Sequence, residues 1–577
     1  MLSLLSDKYY STRRGTMKMD CVVEIPKVKG KIVCQKGYVY FEYGREYKPD
    51  KKYNIPKRSC IGHMIDDMPG MMHPNANFIK FFPDVDLSEG KESGERSHCL
   101  RIGAFIIIKK MLEHFRIPEM LDDYFSPKDA GLLLDLVAYS IINESNAGQY
   151  YPDFAYNHPL FTPGMYIYSD AKVSRLLSSI TADQSVAFLN KWNAMRDHRE
   201  KIYISYDSTN KNCQAGDLEM VEYGHPKVDV GDPIINYSVA YDTSNRVPLF
   251  YEEYPGSIVD VSQLQYMLDK AHDYGYRHAG FILDRGYFSK SNIQYMDQCG
   301  YEFIIMVKGK KDLVRRMVLE NKGKFEDKRS CSIRRYKAYG MTIKEKLYES
   351  DKKERYFHLF YSDLKRSAER EALEAKIEHM ATVLKKMEGR KVELSDNYKR
   401  YFELILDKDG TVLAFVEKDS VIEEEIGLCG YYVIVTSEAM NAREALELYK
   451  SRDASEKLFR GDKSYLGNNS LRVMSDESLS AKSFIYFIAL IVRCRIYTLL
   501  KDERLKNDSK VNYMTVPAAL RELEKIEIVR MPTGRYRMAY AVTATQKAVL
   551  SAFGVDSDWV REQASHIADM LENQAPK

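Results

Sequence analysis

The sequence predicts a multidomain α/β protein whose central unit is a mixed β-sheet covered by helices. At 577 residues, the chain is longer than one hydrophobic core usually organises, so several structural units are expected. Apolar residues make up 45% and charged residues 29%, a composition typical of packed globular proteins that excludes a largely disordered chain. Strand-like and helical segments alternate through the middle of the chain, which favours a mixed sheet.

The N-terminal part of the chain is basic and strand-like, although the net charge of the whole chain is only +3. Residues 1–60 contain 14 Lys and Arg against 6 Asp and Glu, around a Tyr-rich stretch at 37–43. We therefore assign residues 1–97 to a small basic β-rich module that ends in a polar linker. Residues 98–195 form a helical region, because apolar residues recur there at helical spacing.

The central block follows the order βββαβαβ. Its predicted strands and helices are, in chain order, 202–206, 233–241, 247–252, 261–274 (helix), 279–283, 291–299 (helix) and 302–307. Three β-branched and aromatic segments joined by turn residues predict a meander, and the helix-strand alternation that follows predicts parallel strands. Together they indicate a mixed sheet with helical cover, which we place in residues 196–311.

The rest of the chain divides into three further segments. Residues 312–436 are rich in predicted strands and contain a charged helix, residues 437–505 are mainly helical, and residues 506–577 form a mixed C-terminal segment. The stretch 306–337 holds 12 Lys and Arg against 4 acidic residues, a charge that suits either a phosphate backbone or a solvated surface.

Cysteine usage and hydropathy predict a cytoplasmic protein. The nine cysteines are an odd number and form no CxxC pair, so neither a disulfide framework nor a structural zinc site is expected. The longest apolar run, at 483–492, is half of the roughly 20 residues that a membrane span requires.

Two aspartates occupy similar positions in the central block. Asp207 directly follows the predicted strand 202–206, and Asp284 directly follows the predicted strand 279–283. A carboxylate at the end of a buried strand is held by the sheet while its oxygens stay open to a ligand, as in many metal sites. The alternative is an ordinary turn aspartate that begins a loop.

A third group of polar residues lies much later, in the segment YKSRDASEKLFRGDK. Its members are Tyr449, Arg452, Glu456 and Lys463. A continuous helix would place all four within an arc of roughly 60°, so that one carboxylate is surrounded by donors. The alternative is a solvated ion pair between Arg452 and Glu456, four residues apart.

The Y-(2)-R-(3)-E-(6)-K spacing resembles the signature of the DDE transposases of bacterial insertion sequences, within the insertion-sequence-four-like superfamily. The segments YDSTN around Asp207 and LDRGYFSKSNI around Asp284 resemble the two aspartate motifs of that family. The resemblance implies an RNase H-like catalytic core made of 196–311 and 437–505 and interrupted by a β-rich insertion at 312–436. It also implies that Asp207, Asp284 and Glu456 are the catalytic, metal-binding residues.

The activity implied by this resemblance is DNA transposition. The three carboxylates would bind two Mg²⁺ ions, for which Mn²⁺ can substitute, and these cleave the DNA backbone and transfer its 3′ ends to a target. Tyr449, Arg452 and Lys463 would contact DNA phosphates. The implied partners are double-stranded DNA, both element ends and target, and a second copy of the chain. Residues 1–97 and 98–195 would bind the ends and support the dimer, which associates with the nucleoid when bound.

Two other functions stay open at the level of sequence. A metal-dependent nuclease that cleaves DNA without strand transfer would use the same three carboxylates. A transposase-derived DNA-binding protein without catalysis is the second alternative, although the retained acidic and basic residues favour an enzyme.

Overall fold

The computed structural model describes residues 23–28, 31–48, 53–65, 69–82, 96–198, 200–213, 218–224, 232–308, 311–391, 393, 395–453, 471–473, 475–506, 512–532 and 534–572. The strands are β1 Val23–Glu24, β2 Ile32–Gln35, β3 Tyr38–Lys48, β4 Tyr53–Met64, β5 Met71–Pro74, β6 Cys99–Arg101, β7 Ile202–Asn212, β8 Ile234–Asp242, β9 Val247–Pro255, β10 Ala279–Leu283, β11 Glu302–Met306, β12 Ser332–Ile333, β13 Ala338–Glu345, β14 Arg355–Tyr361, β15 Phe402–Leu406, β16 Val412–Glu417, β17 Tyr431–Thr436, β18 Glu527–Arg530 and β19 Tyr536–Met538. The α-helices are α1 Ala76–Phe81, α2 Gly103–His114, α3 Ile117–Asp122, α4 Pro127–Asn143, α5 Tyr151–Asn157, α6 Asp170–Ser179, α7 Ala182–Ala194, α8 Asp260–Asp273, α9 Lys290–Cys299, α10 Lys311–Asn321, α11 Asp363–Lys385, α12 Asp396–Tyr401, α13 Asp419–Leu428, α14 Ala442–Ser451, α15 Asp476–Lys506, α16 Val516–Leu523, α17 Ala544–Ala552 and α18 Ser557–Glu572.

The N-terminal strands form an antiparallel sheet in the order β1-β5-β4-β3-β2. A small apolar core joins this sheet to α1, and its buried members are Val23, Val39, Ile61, Met72 and Phe78. Strands β3 and β4 are longer than their neighbours, so the hairpin that they form extends beyond the rest of the sheet.

A nine-stranded mixed sheet forms the centre of the protein, in the order β12-β13-β14-β17-β11-β10-β7-β8-β9. Strands β7, β8 and β9 form an antiparallel meander, β10 lies parallel to β7, and β11 lies parallel to β10. The parallel pairs are connected through the helices α8 and α9, because a parallel connection cannot be made by a tight turn. The predicted βββαβαβ order and the mixed sheet are confirmed.

The two faces of this sheet pack against different layers. Phe281 and Ile305 belong to the largest hydrophobic core, whereas Ile282 and Ile304 belong to a second cluster that contains residues of α14. This alternation follows from the two-residue period of a strand, in which successive side chains point to opposite faces. Helix α14 therefore covers one face of the sheet at β10 and β11.

The segment 312–436, predicted as a strand-rich insertion, contributes strands to the central sheet. Strands β13, β14 and β17 from this segment extend the central sheet beyond β11, because apolar side chains such as Phe357 and Val435 complete the same large core. A smaller unit with its own core lies between β14 and β17. Its buried members are Ile377, Met380, Leu384, Tyr401, Phe402 and Ile422.

Helix α15 contains the longest apolar run of the sequence. Its length and composition alone would suffice to cross a membrane, but 83% of its most apolar stretch is buried inside the protein. It packs against β9, α4 and α6 and contributes Phe484, Phe487 and Ile488 to the large core. The burial identifies α15 as a core helix that links the helical region to the sheet.

His358 in β14 predicts a measurable pH dependence of stability. Its imidazole is fully buried between Thr342 of β13 and Thr436 of β17, each at 3.0 Å, and burial lowers its pKa from 6.5 to about 4. Between about pH 4 and pH 6.5, His358 therefore binds a proton in the unfolded protein but not in the folded protein. The stabilising contribution is complete above pH 6.5 and is lost as the pH falls towards about 4. The expected loss is about 3 kcal/mol.

Urea unfolding at several pH values checks this prediction against the variant His358→Gln, which carries no titrating ring. The free energy of unfolding of the natural protein should fall more steeply with acid than that of the variant. Parallel curves for the two proteins would contradict the assignment.

Candidate active site

Asp207 and Asp284 lie side by side on neighbouring parallel strands. The register of β7 and β10 pairs Tyr206 with Leu283, so the next residue on each strand is one of the two aspartates. Adjacent strands are about 4.8 Å apart, which places the two carboxylates within reach of a common ligand. Both side chains are partly exposed, that of Asp284 by 39%.

Asp284 directly follows β10, as predicted. Asp207 was also predicted to follow the end of its strand, and that prediction is wrong. Strand β7 continues past Asp207 to Asn212, because these residues pair with β8 from Val239 to Ile234. Asp207 is therefore held by hydrogen-bonded neighbours on both sides.

Both aspartates face the side of the sheet that α14 covers. Asp207 shares a face of β7 with Tyr203, and Asp284 shares a face of β10 with Ile282, because alternate residues point the same way. Tyr203 and Ile282 pack in the cluster that includes α14. The chain thus brings two distant aspartates to one point beside the C-terminal end of this helix.

Helix α14 begins and ends at well-defined signals. Asn441 and Glu444 form a capping box at its N-terminus, and Ala442, Ala445, Leu446 and Tyr449 face the sheet. The helix ends at Ser451, where the Arg452 N–H bonds to the carbonyl of Tyr449 at 3.3 Å and tightens the last turn. Arg452 itself keeps right-handed helical backbone angles (φ −57°, ψ −26°), and most of the helix predicted as far as Lys463 lies outside the described residues.

Arg452 joins the end of α14 to the aspartate pair. Its guanidinium forms an ion pair with Asp284 at 2.5 Å, and its side chain is only 13% exposed. Burial lowers the pKa of Arg452, but polar neighbours outweigh this effect and raise the pKa above its ordinary value. These neighbours, in decreasing order of effect, are Tyr449, Asp284 and Asp207. The site therefore holds a fixed positive charge against two carboxylates.

The ring of Tyr449 lies next to the guanidinium of Arg452. Its ring is 5% exposed, packs in the cluster between α14 and the sheet, and lies 5.3 Å from the Arg452 guanidinium. This placement supports Arg452 by a cation–π contact. The direct contact of Tyr449 with DNA stays a prediction.

Glu456 and Lys463 lie outside the described residues, but contacts of the chain before and after them are described. On one side, Arg452 binds Asp284. On the other side, the N–H of Leu471 donates to the carbonyl of Asn212 at 2.9 Å, at the end of the strand that carries Asp207. Glu456 is the fourth residue after Arg452, so their Cα atoms are at most about 14 Å apart.

Two carboxylates suit a hard divalent cation, which prefers oxygen ligands. Among the described residues, no group of three His, Cys, Asp or Glu side chains is placed to hold a metal ion. Asp207 and Asp284 by themselves supply two carboxylates, which fits part of such a site.

Lys211 was missed by the sequence predictions. It lies on β7, on the same face as Asp207, and is completely buried, with its ammonium 3.8 Å from the Tyr237 ring centre and 5.1 Å from that of Tyr486 in α15. The contact of this buried cation with the two aromatic rings stabilises the packing of β7 against α15. The sequence offered no local signal for Lys211, because the residues around it, 208–212, are polar and not strand-like.

Residues 211–492 match the family model described as the transposase DDE domain. The match begins just after Asp207 and spans Asp284, Arg452 and Glu456. No curated protein matches the chain.

Three solved transposase structures are similar to parts of the chain. One is the piggyBac transposase synaptic complex with hairpin DNA, with 8% identity over 68% of this chain and a TM-score of 0.30; the similar part spans 62% of the piggyBac chain. The Mos1 transposase paired-end complex with left transposon end has 14% identity over 28% of this chain and 54% of that chain, with a TM-score of 0.13. The Mos1 mariner paired end complex with Mn has 13% identity over the same shares, with a TM-score of 0.13. The family match over residues 211–492 supports a DDE transposase.

Proposed function

We propose that the protein is a DNA transposase that binds the ends of its insertion sequence, cleaves the DNA backbone with two divalent metal ions and transfers the 3′ ends to target DNA. The observation that carries the proposal is the pairing of Asp207 and Asp284 on the α14 face of a mixed sheet. The βββαβαβ order, with β10 and β11 parallel, supports an RNase H-like core around this pair.

The three carboxylates have complementary positions in this proposal. Asp207 and Asp284 are fixed by adjacent strands, and Glu456, which follows α14 in the sequence, is proposed as the third carboxylate. Two Mg²⁺ ions, when bound, supply an activated oxygen nucleophile and charge relief at the leaving oxygen. Asp207, Asp284 and Glu456 would hold these ions at the scissile phosphate, and Mn²⁺ could replace Mg²⁺ because both accept oxygen ligands.

The basic residues of the signature hold the DNA. Arg452 is already oriented by Asp284 and Tyr449 and can bind a phosphate through two parallel hydrogen bonds. Lys463 contributes a point charge. The Y-(2)-R-(3)-E-(6)-K spacing supports membership of the insertion-sequence-four-like superfamily. Because two element ends must be held together, the protein acts as a homodimer on DNA, in the cytoplasm.

Product analysis distinguishes a transposase from a nuclease. The full-length protein is incubated with Mg²⁺, a linear DNA that carries both flanks of its gene, and a supercoiled target plasmid. We expect target molecules covalently joined to 3′ ends of the donor DNA. Cleaved donor with no joined product would support a nuclease, and intact donor would support a DNA-binding protein without catalysis.

Arg452→Ala should weaken DNA binding in a salt-dependent way. Loss of one phosphate contact lowers the slope of log affinity against log salt by about 0.9, so the defect is largest at low ionic strength. Fluorescence anisotropy with a labelled duplex measures this slope. Lys463→Ala should behave in the same way.

Arg443→Ala is the matched control for this measurement. Arg443 is an exposed arginine on the same helix, bonded to the carbonyl of Ser332. It should leave the salt slope unchanged. An equal loss of affinity at every ionic strength in Arg452→Ala would indicate a structural role instead.

A further inference from the structure

The hairpin of β3 and β4 ends in a two-stranded ribbon, which we define as Gly44–Lys48 paired with Tyr53–Lys57. On one flank, β2 pairs with β3 only up to Phe41, and on the other, β5 pairs with β4 only from Gly62 onwards. The ribbon therefore projects beyond the five-stranded sheet. At its base, Tyr43 stacks on Phe81 of α1, which fixes the direction of the projection.

The ribbon exposes large aromatic side chains. Tyr47 is 58% exposed and Tyr53 is 55% exposed. Neither ring is used in the core of this sheet, whose buried members come from other positions. Aromatic side chains presented on a projecting element are typical of a contact surface.

The pairing register sorts the ribbon side chains into two faces. Tyr47 lies opposite Asn54, and Arg45 lies two residues before Tyr47, so these three residues share one face, which we call the reading face. Tyr53 and Lys57 lie on the opposite face. The reading face thus combines a guanidinium, a phenol and a carboxamide.

Arg45 is oriented rather than loosely solvated. Its Nε donates to the carboxylate of Glu42 at 2.8 Å, and Glu42 is itself largely buried, yet the Arg45 side chain stays 67% exposed. A buried carboxylate that holds one edge of a guanidinium leaves the remaining donors directed outwards. Arg58 approaches the same carboxylate at 3.5 Å.

We propose that this ribbon enters the major groove of duplex DNA with the reading face towards the base edges. The major groove admits a two-stranded ribbon, and arginine and asparagine are the side chains that make two-bond contacts with guanine and adenine, respectively. The inference rests on the proposed function, because it supplies the element-end recognition that transposition requires.

Charge supports duplex DNA over a protein partner. The strand segments 42–48 and 53–59 contain four Lys and Arg against two Glu. Lys57 on the opposite face pairs with the exposed Glu46, at 3.3 Å, and exposed pairs of this kind are weak enough to exchange for a phosphate. The phosphate backbones on the two sides of the groove would bind these excess basic side chains.

In vitro selection from a duplex library with a randomised central segment tests the inference on the full-length protein. The natural protein should enrich a sequence motif that contains guanine and adenine. Arg45→Ala and Asn54→Ala should each lose the preference at one position of the motif, with a loss of about 5- to 150-fold for the selected duplex. Lys57→Ala should weaken selected and random duplexes equally.

Tyr540→Ala is the matched control, because Tyr540 is 80% exposed but lies far along the chain from the ribbon. It should leave the motif and the affinity unchanged, and thermal melting should show that every variant is folded. Enrichment of the same motif with unchanged affinity by Arg45→Ala and Asn54→Ala would overturn the ribbon inference while leaving the proposed function intact. Absence of DNA binding by the natural protein would overturn both.

Discussion

Asp207→Asn and Asp284→Asn should each lower the rate of DNA cleavage by at least about a thousandfold, because loss of a metal ligand removes several kcal/mol of charge stabilisation from the transition state. The substitution keeps the size of the side chain and removes only its charge. Because the two residues lie on adjacent strands with their carboxylates side by side, each change should have nearly the full effect alone. Single-turnover cleavage of a labelled element end measures the rate.

Binding of the same DNA should stay within about tenfold in both variants, since the phosphate contacts come from basic residues. Asp273→Asn is the matched control, because Asp273 is an 84% exposed aspartate at the end of α8. It should cleave DNA at the natural rate. Cleavage that survives in either site variant would refute the metal assignment.

Glu456→Gln should abolish cleavage to the same extent. Before Glu456 in the chain, Arg452 is bound to Asp284. Glu456 follows Arg452 by four residues, a span of at most about 14 Å, which confines the proposed third ligand to the neighbourhood of the aspartate pair. Carboxylate loss then leaves the metal ions with an incomplete ligand set.

Glu447→Gln provides the comparison for this change. Glu447 is an exposed glutamate on α14, on the same helix as Tyr449 and one turn before Ser451. It should retain cleavage, whereas Glu456→Gln should not. Full activity in Glu456→Gln would show that the third ligand is a different residue.

The central strands could be predicted because their signals are local. Strand β10 matches the predicted bounds, and its end before Asp284 follows from an apolar run that ends in a charge. The continuation of β7 past Asp207 was not predictable in this way. Residues 208–212 are mainly polar, and they become a strand only because β8 pairs with them.

Long-range pairing also explains why the sequence of 312–436 did not show which sheet its strands join. Apolar and polar residues alternate in β13, β14 and β17 as in any sheet strand. This pattern does not show which sheet the strands join. The ion pair of Arg452 with Asp284 could not be predicted from the sequence either, because the two residues are distant in the chain and meet only when α14 packs on the sheet.

The location of Mn²⁺ in a crystal of the full-length protein bound to element-end DNA tests the central claim most directly. Anomalous scattering should show two ions between the carboxylates of Asp207, Asp284 and Glu456, next to the scissile phosphate. Ions bound elsewhere, or a Glu456 carboxylate too distant to share them, would contradict the account.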